Sequence, residues 1–140
     1  DGRRCTCGGR GCLEAYTGGW AVSRMILEHP DYKKSGLASE KRADYHSLKK
    51  WACKEDPIAC EILKEVTSAL KAGIISLIHA YDPEVVILSG GVIKFGSLLI
   101  EPVVKDLNDV IWNSGNPVQV RLAEHPDESV LLGLYALWKE

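Results

Sequence analysis

Cys5-Thr6-Cys7-Gly8-Gly9-Arg10-Gly11-Cys12-Leu13-Glu14 places three thiols within eight residues, interleaves them with three glycines and sets a carboxylate two positions past the last thiol. Zinc takes four tetrahedral ligands and favours thiolates, and Cys-x-Cys-x4-Cys lets one short loop offer three of them from one side. Gly8, Gly9 and Gly11 suit a chain that curls round an ion, because such a loop needs positive φ and close backbone approach. A disulfide fits less well. Cys5 and Cys7 are separated by one residue, an awkward spacing for disulfide geometry, and the chain's five cysteines leave at least one unpaired. A glycine-rich turn that happens to carry free thiols is the remaining alternative. Three ligands do not close a structural site. His29, His46, His79 and His125 are all distant in sequence, so either one of them folds back or the fourth ligand precedes residue 1.

Working outward, Leu13 to Tyr16 begins a helix that Gly18-Gly19 breaks. A second helix resumes at Trp20 and ends before Pro30, with Trp20, Met25, Ile26 and Leu27 as core. Residues 30–43 are polar and of mixed charge, which predicts an exposed connection. A short amphipathic helix follows from Asp44 to about Lys54, burying Tyr45, Leu48, Trp51 and Ala52. Asp56-Pro57 is a helix start signal, Asp as N-cap and Pro at the first helical position. The helix it opens is the longest of the chain. Ile58, Ile62, Val66, Ala69, Leu70, Gly73, Ile74, Leu77, Ile78 and Tyr81 recur at steps of three and four, so one stripe is buried along its whole length. Near its end it is apolar almost all round, which predicts burial between layers. Gly73 lowers helical stability relative to alanine, and a close crossing by another backbone would account for it.

Asp82-Pro83 stops that helix, and Val85-Val86-Ile87-Leu88 reads as an interior strand of a parallel sheet. Ser89-Gly90-Gly91 is a tight strand-to-helix turn. A helix from about Ser97 to Trp112, bent by Pro102, leads through the loop Asn113–Pro117 to a second strand, Val118–Leu122. Ser129 to Lys139 closes the chain as an amphipathic helix. This order is the second half of an α/β layered domain. Two strands make a poor sheet alone, so further strands are expected upstream.

At 140 residues the chain supports one core and not two. Its 46% hydrophobic and 26% charged residues are ordinary for a globular protein, and a net charge of -2 gives no reason to expect nucleic acid or an anionic membrane as partner. No secretory signal is visible, and the apolar runs Ala72–Ala80 and Val85–Leu88 stop short of membrane-spanning length. Thiols with no evident pairing fit a reducing compartment, so the expected location is cytoplasmic.

Cys5-x-Cys7-Gly8-x-x-Gly11-Cys12-x-Glu14, followed by Ala15-Tyr16-Thr17-Gly18, resembles the zinc motif of the ROK family of repressors and sugar kinases, C-x-C-G-x-x-G-C-x-E. The segment Asp82 to Val92 is similar to the family's stretch beside the nucleotide, and Leu132-Gly133-Leu134-Tyr135-Ala136 more loosely to its closing helix. In that family the fourth zinc ligand is a histidine in an upstream Gly-His segment, whereas only Asp1–Arg4 precede Cys5 here. The resemblance therefore implies that residues 1–140 are one single-domain piece, the C-terminal part of a longer protein, with residues 1–14 as its zinc knuckle. It implies a ribonuclease H-like fold of the actin and hexokinase superfamily, helix-rich and with a small parallel sheet in this piece.

The same resemblance implies roles. Cys5, Cys7 and Cys12 would hold a structural zinc. Glu14 would contact sugar; read by itself it is a helix-start charge that serves only stability. Gly90 and Gly91 would border the nucleotide, in keeping with ligands gathering at the carboxyl ends of strands. The parent would be an ATP-dependent hexose kinase, glucokinase-like and Mg²⁺-dependent, acting on a hexose or N-acetylated hexosamine and commonly a homodimer. Alternatively it would be a sugar-sensing transcriptional repressor without kinase activity, or a zinc-stabilised interaction domain in which Glu14 is idle. The resemblance places the family's D-x-G-G-T phosphate segment and its catalytic Asn-Asp segment upstream of residue 1, so no catalytic residue is assigned and the 140-residue piece alone is expected to be inactive. Cys53 and Cys60 read as buried or half-buried free thiols, and His46 and His79 as structural histidines.

Overall fold

Asp56 opens the element on which the rest is packed. Its Oδ1 accepts the N–H groups of Ile58 and Ala59 at 3.1 and 3.0 Å, and Pro57 fills the first helical position of α4, Pro57–Tyr81. The helix ends where Asp82 turns left-handed (φ 43°) and returns its N–H to Ile78 O at 2.8 Å. In this computed structural model, residues 2–90, 93, 95–112, 117–125 and 127–139 are described.

Before α4 lie α1 (Glu14–Thr17), α2 (Gly19–Leu27) and α3 (Tyr45–Ala52); after it come β1 (Val85–Leu88), α5 (Ser97–Val104), α6 (Leu107–Val110), β2 (Gln119–Leu122) and α7 (Ser129–Trp138). The core forms where α2, α3 and α5 close on α4, with Ile26, Leu37, Leu48, Ile78, Leu99 and Leu107 fully buried. Asp44 starts α3 through a reciprocal capping box with Ser47, which satisfies two end donors at once. Tyr45 buries its ring edge-on against Phe95, gives its hydroxyl to Thr17 O at 2.7 Å, and burial pushes its phenol up to about 12.

The strands pair in parallel, Val85 opposite Gln119 and Leu88 opposite Leu122, with α5 and α6 forming the crossover that parallel strands require. The small parallel sheet expected from sequence is therefore present, and among the described residues β1 pairs with β2 alone and has one of its faces open. Val86 and Leu88 are half-buried whereas Ile87 on the other face is 65% exposed.

Several expectations need correction. The α4 stripe is buried from Ile58 to Ile78 but not to its end, since Leu77 and Tyr81 are exposed; α5 covers one face of the last turns and leaves the other open. Gly73 meets no backbone: a Cβ there would fall 2.8 Å from Leu13 Cδ2, so the glycine makes room for one side chain. The helix expected from Ser97 to Trp112 breaks into two at Asp106, which is left-handed (φ 54°), after Pro102 has removed one hydrogen bond upstream. Residues 30–43 are not an exposed connection. They form two 3-10 turns, Tyr32–Lys34 and Gly36–Ser39, and sink Ser35 and Leu37 into the interior. The other oxygen of Asp56 explains why: Oδ2 accepts Gly36 N–H at 3.0 Å while Ser35 Oγ donates to Oδ1 at 2.8 Å. Met25 and Ile26 are core, but Leu27 is 57% exposed and Trp20 only half-buried. Cys53 and Cys60 are free and exposed rather than half-buried. In α7 no residue is buried, so it is apolar without an apolar partner. Residues 113–116 of the expected loop lie outside the described residues.

Candidate functional site

The knuckle is a tight double turn. An antiparallel bridge joins Arg4 to Arg10, and Cys5 N–H reaches Gly9 O at 2.9 Å while Gly8 N–H reaches Cys5 O at 3.1 Å. Gly8 and Gly11 take φ of +89° and +74°, the region a Cβ disfavours. This folding brings the three sulfurs together, all within 4.8 Å of one another, with Cys7 and Cys12 Sγ 3.6 Å apart. Tetrahedral ligands at a zinc–sulfur distance of about 2.3 Å stand about 3.8 Å apart, so this donor set fits such an ion. The proton inventory agrees. Hydrogen bonds to the Cys7 and Cys5 sulfurs push the Cys12 thiol up to about 11, whereas the Gly9 backbone N–H and the neighbouring thiols draw Cys7 down. The two sulfurs therefore resist ionising together, which a bound cation would relieve.

Among the described residues the group contains Cys5, Cys7 and Cys12 and no fourth ligand. His29 accepts Asp31 N–H on Nδ1 and faces Glu61 through Nε2 at 3.6 Å, and His79 Nε2 accepts Trp112 N–H at 3.0 Å. Both are engaged elsewhere.

The knuckle is seated on α4 by Arg3. Its guanidinium grips Glu65 with two bonds of 2.7 and 2.8 Å, its backbone N–H donates to Tyr16 Oη at 3.0 Å, and its charge lies 5.9 Å from the Tyr16 ring centre. The Glu65 carboxylate raises the Arg3 guanidinium further above its ordinary value. Arg3, Arg4, Arg10 and Arg24 together line a cavity beside the knuckle, with Arg3 paired to Glu65 and Arg24 to Glu28.

Glu14 adjoins the thiols. One carboxylate oxygen lies 3.9 Å from Cys5 Sγ and the other accepts the Trp20 indole N–H at 2.9 Å. α1 has only four residues and no side-chain cap, so the N-terminal dipole invoked from sequence has little length to act over; Trp20 fixes the carboxylate instead. Sequence reasoning placed Trp20 in the core and missed it. The available signal was an indole, which seeks a hydrogen-bond partner when buried, six residues past a carboxylate on the next helix.

Gly90 lies in the turn after β1 at φ +86°, with open space where a Cβ would stand. Backbone there is accessible to a ligand, as expected for the carboxyl end of a parallel strand. Gly91 lies outside the described residues. The structure thus brings Cys5, Cys7, Cys12 and Glu14 into one cluster, and Gly90 belongs to a separate turn.

A model of the ROK family matches residues 1–140. A glucokinase from Thermotoga maritima is 32% identical over all of this chain and 46% of its own length. The DNA-binding transcriptional dual regulator NagC of Escherichia coli is 27% identical over 99% of this chain and 34% of its own. Among solved structures, a ROK family glucokinase from Streptomyces griseus in complex with glucose and AMPPNP superposes with a TM-score of 0.77 at 27% identity, covering 98% of this chain and 47% of that one. The chain spans less than half the length of the curated relatives it matches.

Proposed function

The chain belongs to the ROK family, whose sugar kinases have an actin/hexokinase-like fold, and from that premise we propose that it is the C-terminal part of an ATP-dependent hexose kinase, glucokinase-like in its chemistry. It contributes a structural zinc knuckle formed by residues 1–14, a sugar-contacting carboxylate at Glu14 and, at Gly90 and Gly91, part of the wall of the nucleotide cleft. ATP with Mg²⁺, and a hexose or N-acetylated hexosamine, are the ligands of the longer protein.

One observation carries this reading: the Glu14 carboxylate is exposed and is held between the thiol cluster and the Trp20 indole. A fixed carboxylate accepts hydrogen bonds from neighbouring sugar hydroxyls without first ordering itself. Cys5, Cys7 and Cys12 hold the loop in shape around the metal, which supplies rigidity and no reacting group. The phosphoryl donor and the hydroxyl acceptor would meet in a cleft whose base and phosphate-binding loop this chain does not contain, so its own residues bind and orient.

The test is ADP release by the full-length protein over a panel of hexoses, before and after zinc removal with excess Mg²⁺ restored. A sugar-dependent rate that chelation abolishes supports the kinase and names its substrate. Hydrogen bonds to a charged group contribute about 1.5–3 kcal/mol, so Glu14→Ala is expected to weaken sugar binding roughly ten- to hundredfold; an unchanged affinity would leave Glu14 idle. A second reading, a sugar-responsive repressor, is favoured by the similarity to NagC across almost the whole chain. Folded, zinc-loaded protein that binds sugar but turns over none would establish it.

A further inference from the structure

We propose that Trp20 is a positioning residue for the sugar-contacting carboxylate, its indole N–H holding one oxygen of Glu14 so that the other is presented to ligand hydroxyls. The inference rests on the reading of Glu14 as the sugar contact.

Two independent observations meet at this point. The first is the bond itself, 2.9 Å from Trp20 Nε1 to Glu14 Oε1, made across the junction of α1 and α2. Indole N–H donates and cannot accept, so it fixes which oxygen is occupied and keeps it occupied. The second is Gly18, the residue between the two helices. Its φ and ψ, -71° and 148°, are extended values open to any residue, so its backbone conformation does not demand glycine. Space does. A Cβ at position 18 would stand 2.7 Å from Glu14 O, a backbone clash that accounts for the glycine by itself, and 3.1 Å from Glu14 Cγ and 3.2 Å from Trp20 Nε1, so the junction is closely packed around the indole–carboxylate contact.

The remaining oxygen has one hydrogen-bond partner among the described residues, Cys5 Sγ at the long distance of 3.9 Å. Trp20 is the donor that stops the side chain turning. Glu14 has three rotatable bonds, and fixing them before binding removes part of the entropy cost of recognition. Trp20 does not touch the sugar in this scheme; it acts through Glu14.

The experiment is calorimetric titration of the full-length, zinc-loaded protein with D-glucose and with N-acetyl-D-glucosamine, for the wild type, Trp20→Phe, Glu14→Ala and the double variant. Trp20→Phe keeps an aromatic ring and removes the donor. It is expected to weaken sugar binding about three- to tenfold, with zinc content and melting temperature unchanged, and to have no further effect in the Glu14→Ala background. That coupling is what a general packing role would not produce. Should Trp20→Phe fail to fold, incorporation of benzothienylalanine at position 20, which replaces the indole N–H by sulfur in the same bicyclic shape, decides the matter. If Glu14→Ala weakens binding and removal of the Trp20 donor does not, or if the two losses simply add, the positioning role is overturned and the Glu14 reading stands. If Glu14→Ala leaves both sugars bound as before, the reading itself fails and the inference falls with it.

Discussion

Cys12 and Cys7 press two sulfurs to 3.6 Å on a loop whose turns already need positive φ at Gly8 and Gly11. Binding metal to the folded knuckle should stabilise the protein by linkage. Chelation is expected to lower the melting temperature reversibly, and Cys12→Ser to abolish the response while reducing bound zinc; calorimetry with metal analysis reads both. A melting temperature indifferent to chelator and zinc would remove the metal from the account. At this scale the sequence was legible where spacing alone fixes chemistry. Three thiols in eight residues can hardly avoid one another, so the cluster could be read directly. The partners of Glu14 and Glu65 could not, since Trp20 and Arg3 reach them through the angle between α1 and α2 and through the seat of the knuckle on α4, which only packing sets.

Asp56 shows the same division among elements. Its role as helix N-cap was readable from Asp-Pro, whereas its second role, drawing Ser35 and Gly36 inward, joins residues twenty positions apart and left no periodic trace. Burial alone would push the Asp56 carboxyl up; the hydrogen bonds from Ala59, Gly36, Ser35 and Ile58 overcome this and hold it below the ordinary aspartate range. A carboxyl with a lowered folded pKa contributes its full stability above its unfolded value, about 3.9, and loses it as pH falls through the folded value. Wild type is therefore expected to be less stable below about pH 4, with Asp56→Asn flattening that limb of a pH–melting profile. Asp56→Ala should cost at least the roughly 1–2 kcal/mol of a lost N-cap. Gly36 tests the buried 3-10 turn separately. A Cβ there would fall inside the Trp51 ring, so Gly36→Ala must displace that side chain and break its bond to Glu40, a change of about 1–3 kcal/mol by overpacking. Urea denaturation showing no loss would place residues 36–39 back on the surface.

Across the whole molecule the core is uneven. Around α4 it is closed, but beyond α5 the outer faces of β1 and β2 and all of α7 present Ile87, Val130, Leu131, Leu134, Leu137 and Trp138 to solvent. The sequence pattern of α7 was read as amphipathic, yet Val130, Leu131, Leu132 and Leu134 lie on more than one face, and a helix apolar on several sides needs covering on several sides. Two paired strands and one uncovered helix cannot bury that much surface themselves. A chain less than half as long as the glucokinase it resembles, with a closed half around α4 and an open half around the sheet, has the thiol cluster and Glu14 in the first part and the turn at Gly90, proposed to border the nucleotide, in the second. Catalysis by proximity needs both parts fixed relative to each other, which the open half does not provide. The 140-residue chain alone is accordingly expected to release no ADP from ATP in the presence of glucose or N-acetylglucosamine, while still taking up zinc at the knuckle, whose supports in α1, α2 and α4 lie in the closed half. Coupled-enzyme assay and metal titration of one preparation measure the two together: sugar-dependent turnover would show that the open half is catalytically complete, and zinc uptake without turnover would show that the knuckle folds independently of the cleft it helps to build.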